Sequence, residues 1–177
     1  MKKYVVIIIG CFFIWGVPTS SINAAKPQLA VGIGAGFPEL WHLSGRISLT
    51  QQIQTGVRFA AFTYDDKDVI IATLDMQYHF GRSIKKVGDR SPWFVATGIL
   101  YMDDENEKRR YEDIYLLTGL GWERSLIKCL GFQVDGGMAF RLSHESVTKV
   151  GTIFDFSFSD KAPFLFPFIR MQLFFYN

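Results

Sequence analysis

The chain has 177 residues, with 19 lysines and arginines against 17 aspartates and glutamates. Residues 1–25 contain two of the lysines and no acid, so the chain beyond them, with 17 basic against 17 acidic residues, is neutral and lacks the electrostatic footprint of a nucleic-acid-binding protein. Its two cysteines, Cys11 and Cys129, lie on either side of that boundary, which excludes a disulfide framework within residues 26–177.

The first 25 residues read as a signal peptide. Met1-Lys2-Lys3 is a short basic start, Tyr4–Val17 an apolar run shorter than the roughly 20 residues that cross a bilayer as a helix, and Pro18–Ala25 a small-residue segment suited to cleavage near Ala24 or Ala25. Ile8-Ile9-Gly10-Cys11 has the look of a lipoprotein box, but it falls early and the apolar run continues past it through Phe12-Phe13-Ile14-Trp15.

From residue 28 the chain alternates with period two. In Gln28–Phe37 one face carries Leu29, Val31, Ile33, Ala35 and Phe37, and the other Gln28, Ala30, Gly32, Gly34 and Gly36. A soluble β-protein hides its large apolar face and covers the other with Lys, Glu and Thr. Here the second face is mostly small residues with a few Arg, Asp and Glu, which suits the cramped lumen of a barrel whose apolar side meets lipid.

Seven further segments repeat the pattern. Trp41–Thr50 sets Trp41, Leu43, Ile47 and Leu49 against His42, Ser44, Arg46 and Ser48; Thr55–Tyr64 sets Val57 and Phe59 against Gly56, Arg58 and Ala60. Val69–Gly81 opposes Ile70, Leu74, Met76, Tyr78 and Phe80 to Thr73, Asp75, Gln77 and His79. Trp93–Met102 turns Trp93, Val95, Ile99 and Tyr101 outward, and Tyr111–Glu123 turns out Ile114, Leu116, Leu120 and Trp122 while Tyr115, Gly119, Gly121 and Glu123 point in. Lys128–Ser143 alternates most cleanly, with Phe132, Val134, Met138, Phe140 and Leu142 against Gln133, Asp135, Gly137, Ala139 and Arg141. Phe164–Tyr176 closes the set, with Ile169, Met171, Leu173 and Phe175 against Arg170, Gln172, Phe174 and Tyr176.

Each run reaches about the 9–11 residues that a tilted membrane strand needs. The expected fold is all-β, an eight-stranded antiparallel up-and-down transmembrane β-barrel forming one domain over residues 26–177. An even count puts both termini on the periplasmic side and leaves Pro38–Leu40, Asp65–Asp68, Asp103–Arg110 and His144–Pro163 as extracellular loops. Arg82–Ser91 is long for a periplasmic turn, and Gly151–Phe158 also alternates, as a hairpin extension of the last two strands would.

This pattern resembles the superfamily of small eight-stranded outer-membrane β-barrels of Gram-negative bacteria, the OmpA-type and porin-like proteins. The last strand resembles the aromatic segment by which barrel-assembly machinery recognises its clients, except that it ends on Asn177 rather than on the aromatic. The resemblance implies the cell outer membrane, with outer-membrane lipid, lipopolysaccharide and that machinery as partners. The resemblance speaks to location more than to activity; the favoured reading is a monomeric, non-enzymatic structural, adhesive or surface-interaction protein acting through its loops.

Candidate functional residues fall in the lumen and the loops. Arg46, Arg58, Arg141 and Arg170 with Asp75, Glu123 and Asp135 form an expected lumen charge network, since charges inside so narrow a barrel persist only when paired. No residue spacing calls for a metal or other cofactor: Asp65, Asp66 and Asp68 do not continue into a calcium loop, and His42 and His79 stand singly. Lys108, Arg109 and Arg110, in the charged run Asp103–Arg110, could touch lipopolysaccharide phosphates. His144-Glu145-Ser146 resembles the His-x-Ser pair of outer-membrane lipid A deacylases, with Asp155 or Asp160 as a third member, although Val147-Thr148-Lys149 follows where that family has an Asn and a Gly-containing stretch. By parity from Leu142, His144 and Ser146 are expected to point outward. A lipid A-modifying hydrolase is therefore the alternative function; a soluble lipid-binding barrel would need Leu, Phe and Trp in water.

Overall fold

The computed structural model describes residues 29–64, 67–81, 91–105, 109–127, 129–148 and 164–176. Residues 1–25, expected as a signal peptide, the segment Gly151–Phe158, and Asp155 and Asp160 lie outside the described residues. Eight strands follow in order: β1 Leu29–Phe37, β2 Leu40–Ser48, β3 Ile53–Tyr64, β4 Lys67–Phe80, β5 Trp93–Glu105, β6 Arg109–Ile127, β7 Leu130–Thr148 and β8 Leu165–Tyr176. Each is antiparallel to the next and β8 pairs back onto β1, from Ala30 opposite Tyr176 to Phe37 opposite Ile169, so the sheet is a closed barrel without edges in its body. The fold is the eight-stranded antiparallel up-and-down barrel expected from the alternation.

Register explains why the alternation suffices to define two faces. Directly paired residues share a face, and the ladder sets Ser44 opposite Arg58 and Arg58 opposite Thr73, while Leu43 meets Phe59 and Phe59 meets Ala72. The first row is buried or partly buried, whereas Leu43 and Phe59 are more than half exposed. Glycines line the inner wall where large side chains cross it: a Cβ on Gly36 would lie 2.8 Å from the Arg170 Cγ, and one on Gly121 would run into the Phe94 ring.

The wall is uneven in height. β1 and β2 have 9 residues each, whereas β6 and β7 have 19 each, nearly twice a span. Asp103–Arg110 is therefore only partly a loop, because Asp103, Asp104 and Glu105 belong to β5, Arg109 and Arg110 to β6, and Glu105 pairs with Arg110. Strand pairing needs backbone partners rather than apolar side chains, and opposite charges across the hairpin allow it to continue beyond the apolar band. His144 likewise belongs to β7 rather than to a loop.

One irregularity changes a face. Ile114 pairs with Ser143 but Tyr115 pairs with Arg141, so Leu142 is an extra residue in β7, a β-bulge. Beyond it the parity of β7 is reversed.

Candidate functional site in the barrel lumen

The inward side chains are layered along the axis. Along β6 they run Asp113, Tyr115, Leu117, Gly119, Gly121, Glu123, and along β8 Phe166, Phe168, Arg170, Gln172, Phe174. Glu123, Arg170 and Gln172 lie towards the end where β1 starts and β8 finishes, with Phe174 below them; Tyr115, Leu117, Phe166 and Phe168 form an apolar tier above them, and Asp113 is again charged at the far mouth.

The charged tier holds six of the seven expected network residues. Arg170 donates from Nε to Asp135 Oδ2 at 2.9 Å, and its Nη1 reaches Glu39 Oε1 at 3.4 Å. Arg58 pairs with Asp75, and Arg46 Nη1 stands 3.5 Å from Glu123 Oε2. All these side chains are at least nine-tenths buried. Arg46 also lies over the Phe174 ring at 4.8 Å and Arg170 over Phe168 at 4.4 Å. Neutral groups extend the set: Gln133 donates to Asp135 at 3.1 Å, and the Tyr176 hydroxyl donates to Glu123 at 2.8 Å. Arg141 sits apart, half-buried and opposite Tyr115 at the level of the next tier.

Glu39 is a member that sequence reasoning missed. It lies between β1 and β2 and reads as a turn residue, yet it is 1% exposed, accepts from Thr73 Oγ1 at 3.1 Å and has His42 Nδ1 3.5 Å from its Oε2. The β1–β2 turn is tight, with Leu40 at φ 48°, and the low wall there lets its single acid fold over the rim into the barrel.

Above the charges lies an apolar tier: Ala60, Ile71, Leu100, Tyr115, Leu117, Ala139, Phe166 and Phe168, with Phe62, Val69 and Met102 packed on it. The Tyr115 and Phe166 rings meet edge to face at 4.9 Å. The alternation predicts a mostly small-residue lumen with a few charges, and this tier of large apolar side chains departs from it. Its large apolar residues hide in sequence because both faces of β4, β6 and β8 are apolar at that height, as in Val69-Ile70-Ile71 and Tyr115-Leu116-Leu117.

At the outer mouth, the bulge corrects the expectation for His144. It pairs with Asp113, which is 2% exposed, and its Nδ1 is 2.8 Å from Asp113 Oδ1, so His144 shares the inner face rather than pointing outward. Its ring stacks on Tyr111 at 6.0 Å. The carboxylate beside it is therefore Asp113, from the neighbouring strand. Ser146 pairs with Tyr111 in the backbone register, and its side chain lies outside the described part of the structure.

On the outer wall the charged hairpin occupies its own arginine. Arg110 donates from Nε and Nη2 to the two oxygens of Asp103, at 3.0 and 2.6 Å, and its Nη2 is 3.3 Å from Glu112. The bonds to Asp103, and then its charge, raise the guanidinium above the usual arginine range. A free phosphate contact by Arg110 would have to displace two carboxylates. Lys108 and the Arg109 side chain lie outside the described residues. Among the described residues no group of three or more His, Cys, Asp or Glu could hold a metal ion.

No protein-family model matches the chain, and no curated protein matches it. Solved structures do. CarO of Acinetobacter baumannii aligns with 12% identity over 88% of this chain and 100% of that one, at a TM-score of 0.54. CarO2 of the same organism aligns with 12% identity over 85% and 98%, at 0.52. The N-terminal β-barrel domain of Pseudomonas aeruginosa OprF aligns more loosely, with 10% identity over 85% and 96%, at 0.45. At such identities the likeness to the CarO structures is one of fold.

Proposed function

We propose that this chain is an outer-membrane β-barrel protein of a Gram-negative bacterium, non-enzymatic and non-conducting, whose lumen is filled by side chains and whose role is structural or one of surface interaction through its extracellular loops. The observation that carries the reading is the outward face. Leu43, Val57, Leu74, Leu120 and Ile169, on five different strands, are each more than half exposed, and the aromatic rings Trp41, Tyr78 and Trp93 are nearly so or more. A continuous apolar band around a closed barrel far exceeds the patches that soluble monomers expose, and it fits a hydrocarbon surrounding. The fold shared with the CarO structures supports the same surrounding.

The remaining parts of the proposal follow from that placement. The termini and the turns 49–52 and 127–130 face the periplasm; the taller hairpins face outward, towards lipopolysaccharide. Assembly proceeds from the aromatic β8 through the barrel-assembly machinery, and the product is a monomer. The charge network of Arg46, Arg58, Asp75, Glu123, Asp135 and Arg170, joined by Glu39, holds the strands in register.

A membrane-facing lipid A hydrolase is disfavoured. Asp113 could orient His144 as a general base, but the bulge places that imidazole on the inner face, away from acyl chains. The test of the favoured reading is fractionation: the protein is expected in outer membranes, resistant to extraction without detergent and with heat-dependent gel migration. Recovery in the soluble periplasm would reject it.

A further inference from the structure

The charged tier is not a dry plug. Several of its buried polar atoms have neither a hydrogen-bond nor an ion-pair partner: Arg46 Nη2, Arg58 Nε and Nη2, and Gln172 Nε2 among the nitrogens, with Gln54, Gln77 and Gln133 Oε1 among the oxygens. Each belongs to a residue at least nine-tenths buried. Leaving so many groups bare would cost the full desolvation penalty of each, which a marginally stable fold does not carry. A metal ion could satisfy only the oxygens, and an anion only the N–H groups. Unmet donors and acceptors interleaved in one chamber call for a partner that is both, and water is that partner.

The tier above has the opposite character. Ala60, Ile71, Leu100, Leu117, Ala139, Phe166 and Phe168 offer water no side-chain partner; the polar side chains beside them are Thr73, whose hydroxyl donates to Glu39, the Tyr115 hydroxyl, and the half-buried Arg141 opposite it. A hydrated column does not continue through such a packed constriction, since apolar necks close to ions by dewetting. Resting on the proposed membrane placement, we propose that the half of the lumen holding Arg46, Arg58, Asp75, Gln77 and Gln133 is a hydrated chamber, and that the apolar tier of Leu100, Leu117, Phe166 and their neighbours, not the ion pairs, is the barrier to permeation.

The arrangement gives the two tiers separate duties. Ion pairs fix strand register and keep the chamber narrow, and their hydrogen bonds can exchange with water without opening a path. The apolar tier closes the path. Passage of ions therefore depends on residues that carry no charge.

Two measurements on the full-length mature protein test this. In detergent micelles, NMR magnetisation transfer from water is expected to reach the Arg58 Nε–H and the Gln77 and Gln133 side-chain amides but not the Leu100 and Leu117 methyl groups. Water contact at those methyl groups, or its absence at all three chamber groups, would overturn the proposal without any variant having to fold. In planar bilayers, Leu117→Ala combined with Phe166→Ala is expected to give a steady conductance on the order of tenfold above wild type, as wetting of an apolar neck implies, while Asp135→Asn stays closed. Folding of each variant is verified by heat-dependent migration. A conducting Asp135→Asn beside a closed double variant would overturn the apolar barrier but leave the non-conducting barrel intact; steady conductance in wild type would overturn the non-conducting reading itself.

Discussion

Asp135 on β7 and Arg170 on β8 are directly paired in the ladder, and their side chains meet inside the barrel, with Arg170 Nε 2.9 Å from Asp135 Oδ2. The pair thus ties backbone register to lumen chemistry at one point. A one-residue slip of β8 would turn Arg170 to lipid and Ile169 into the charged tier, so the ion pair penalises misregistration more than it rewards folding.

Asp135→Ala should therefore destabilise the barrel. Breaking a buried pair costs about 3–5 kcal/mol, and the lower end is expected because Glu39 remains beside Arg170 and water reaches the chamber. Urea unfolding in lipid vesicles measures it. Removing both charges, Asp135→Ala with Arg170→Met, should recover part of the loss; a double variant no more stable than the single one would mean that the stranded guanidinium is not the cause.

The lipid face should show a depth profile. Leu74 lies mid-strand in β4 and is 58% exposed, so Leu74→Arg should cost about 2–4 kcal/mol, whereas Leu126→Arg, at the turn end of β6, should cost about 0–1. The same refolding experiment compares them. Equal stabilities would mean that the apolar band does not lie in hydrocarbon.

Packing across the lumen gives a third expectation. A methyl group at Gly121 would collide with the Phe94 ring and approach Asp135 Cβ at 2.8 Å, so Gly121→Ala should cost about 1–3 kcal/mol as overpacking. Phe94→Leu in the same chain should relieve it. No relief would place the strain elsewhere.

Orientation can be read from Cys129, an exposed cysteine beside the β6–β7 turn. In intact cells it should resist a bulky maleimide and react once the outer membrane is permeabilised. Labelling of intact cells would invert the barrel.

The strands are legible because an apolar surrounding outside and a confined lumen inside impose alternation of exposure, which β1 and β8 follow along almost their whole length. Legibility failed where a face depends on something beyond parity. The bulge at Leu142 leaves no mark in Arg141-Leu142-Ser143, so His144 was assigned to the wrong face and Asp113, its partner 31 residues earlier, was overlooked. Glu39 was missed because a turn carries no period, and the apolar tier because apolar residues inside a barrel look like the band outside it. The charged run Asp103–Arg110 looks like a loop in sequence, yet it extends the β5–β6 hairpin, where Arg110 and Asp103 stabilise one another.

The most direct measurement is fluorescence quenching of Trp41, Trp93 and Trp122 in the mature protein, refolded in vesicles of brominated phospholipid. Trp41 and Trp93 are about half exposed on the outer wall, Trp122 shares that face, and all three should touch acyl or interfacial atoms. Strong quenching by bromine placed near the headgroups, with little quenching by aqueous iodide, is the expected result. Efficient iodide quenching with none from the brominated lipid would contradict a membrane-spanning barrel.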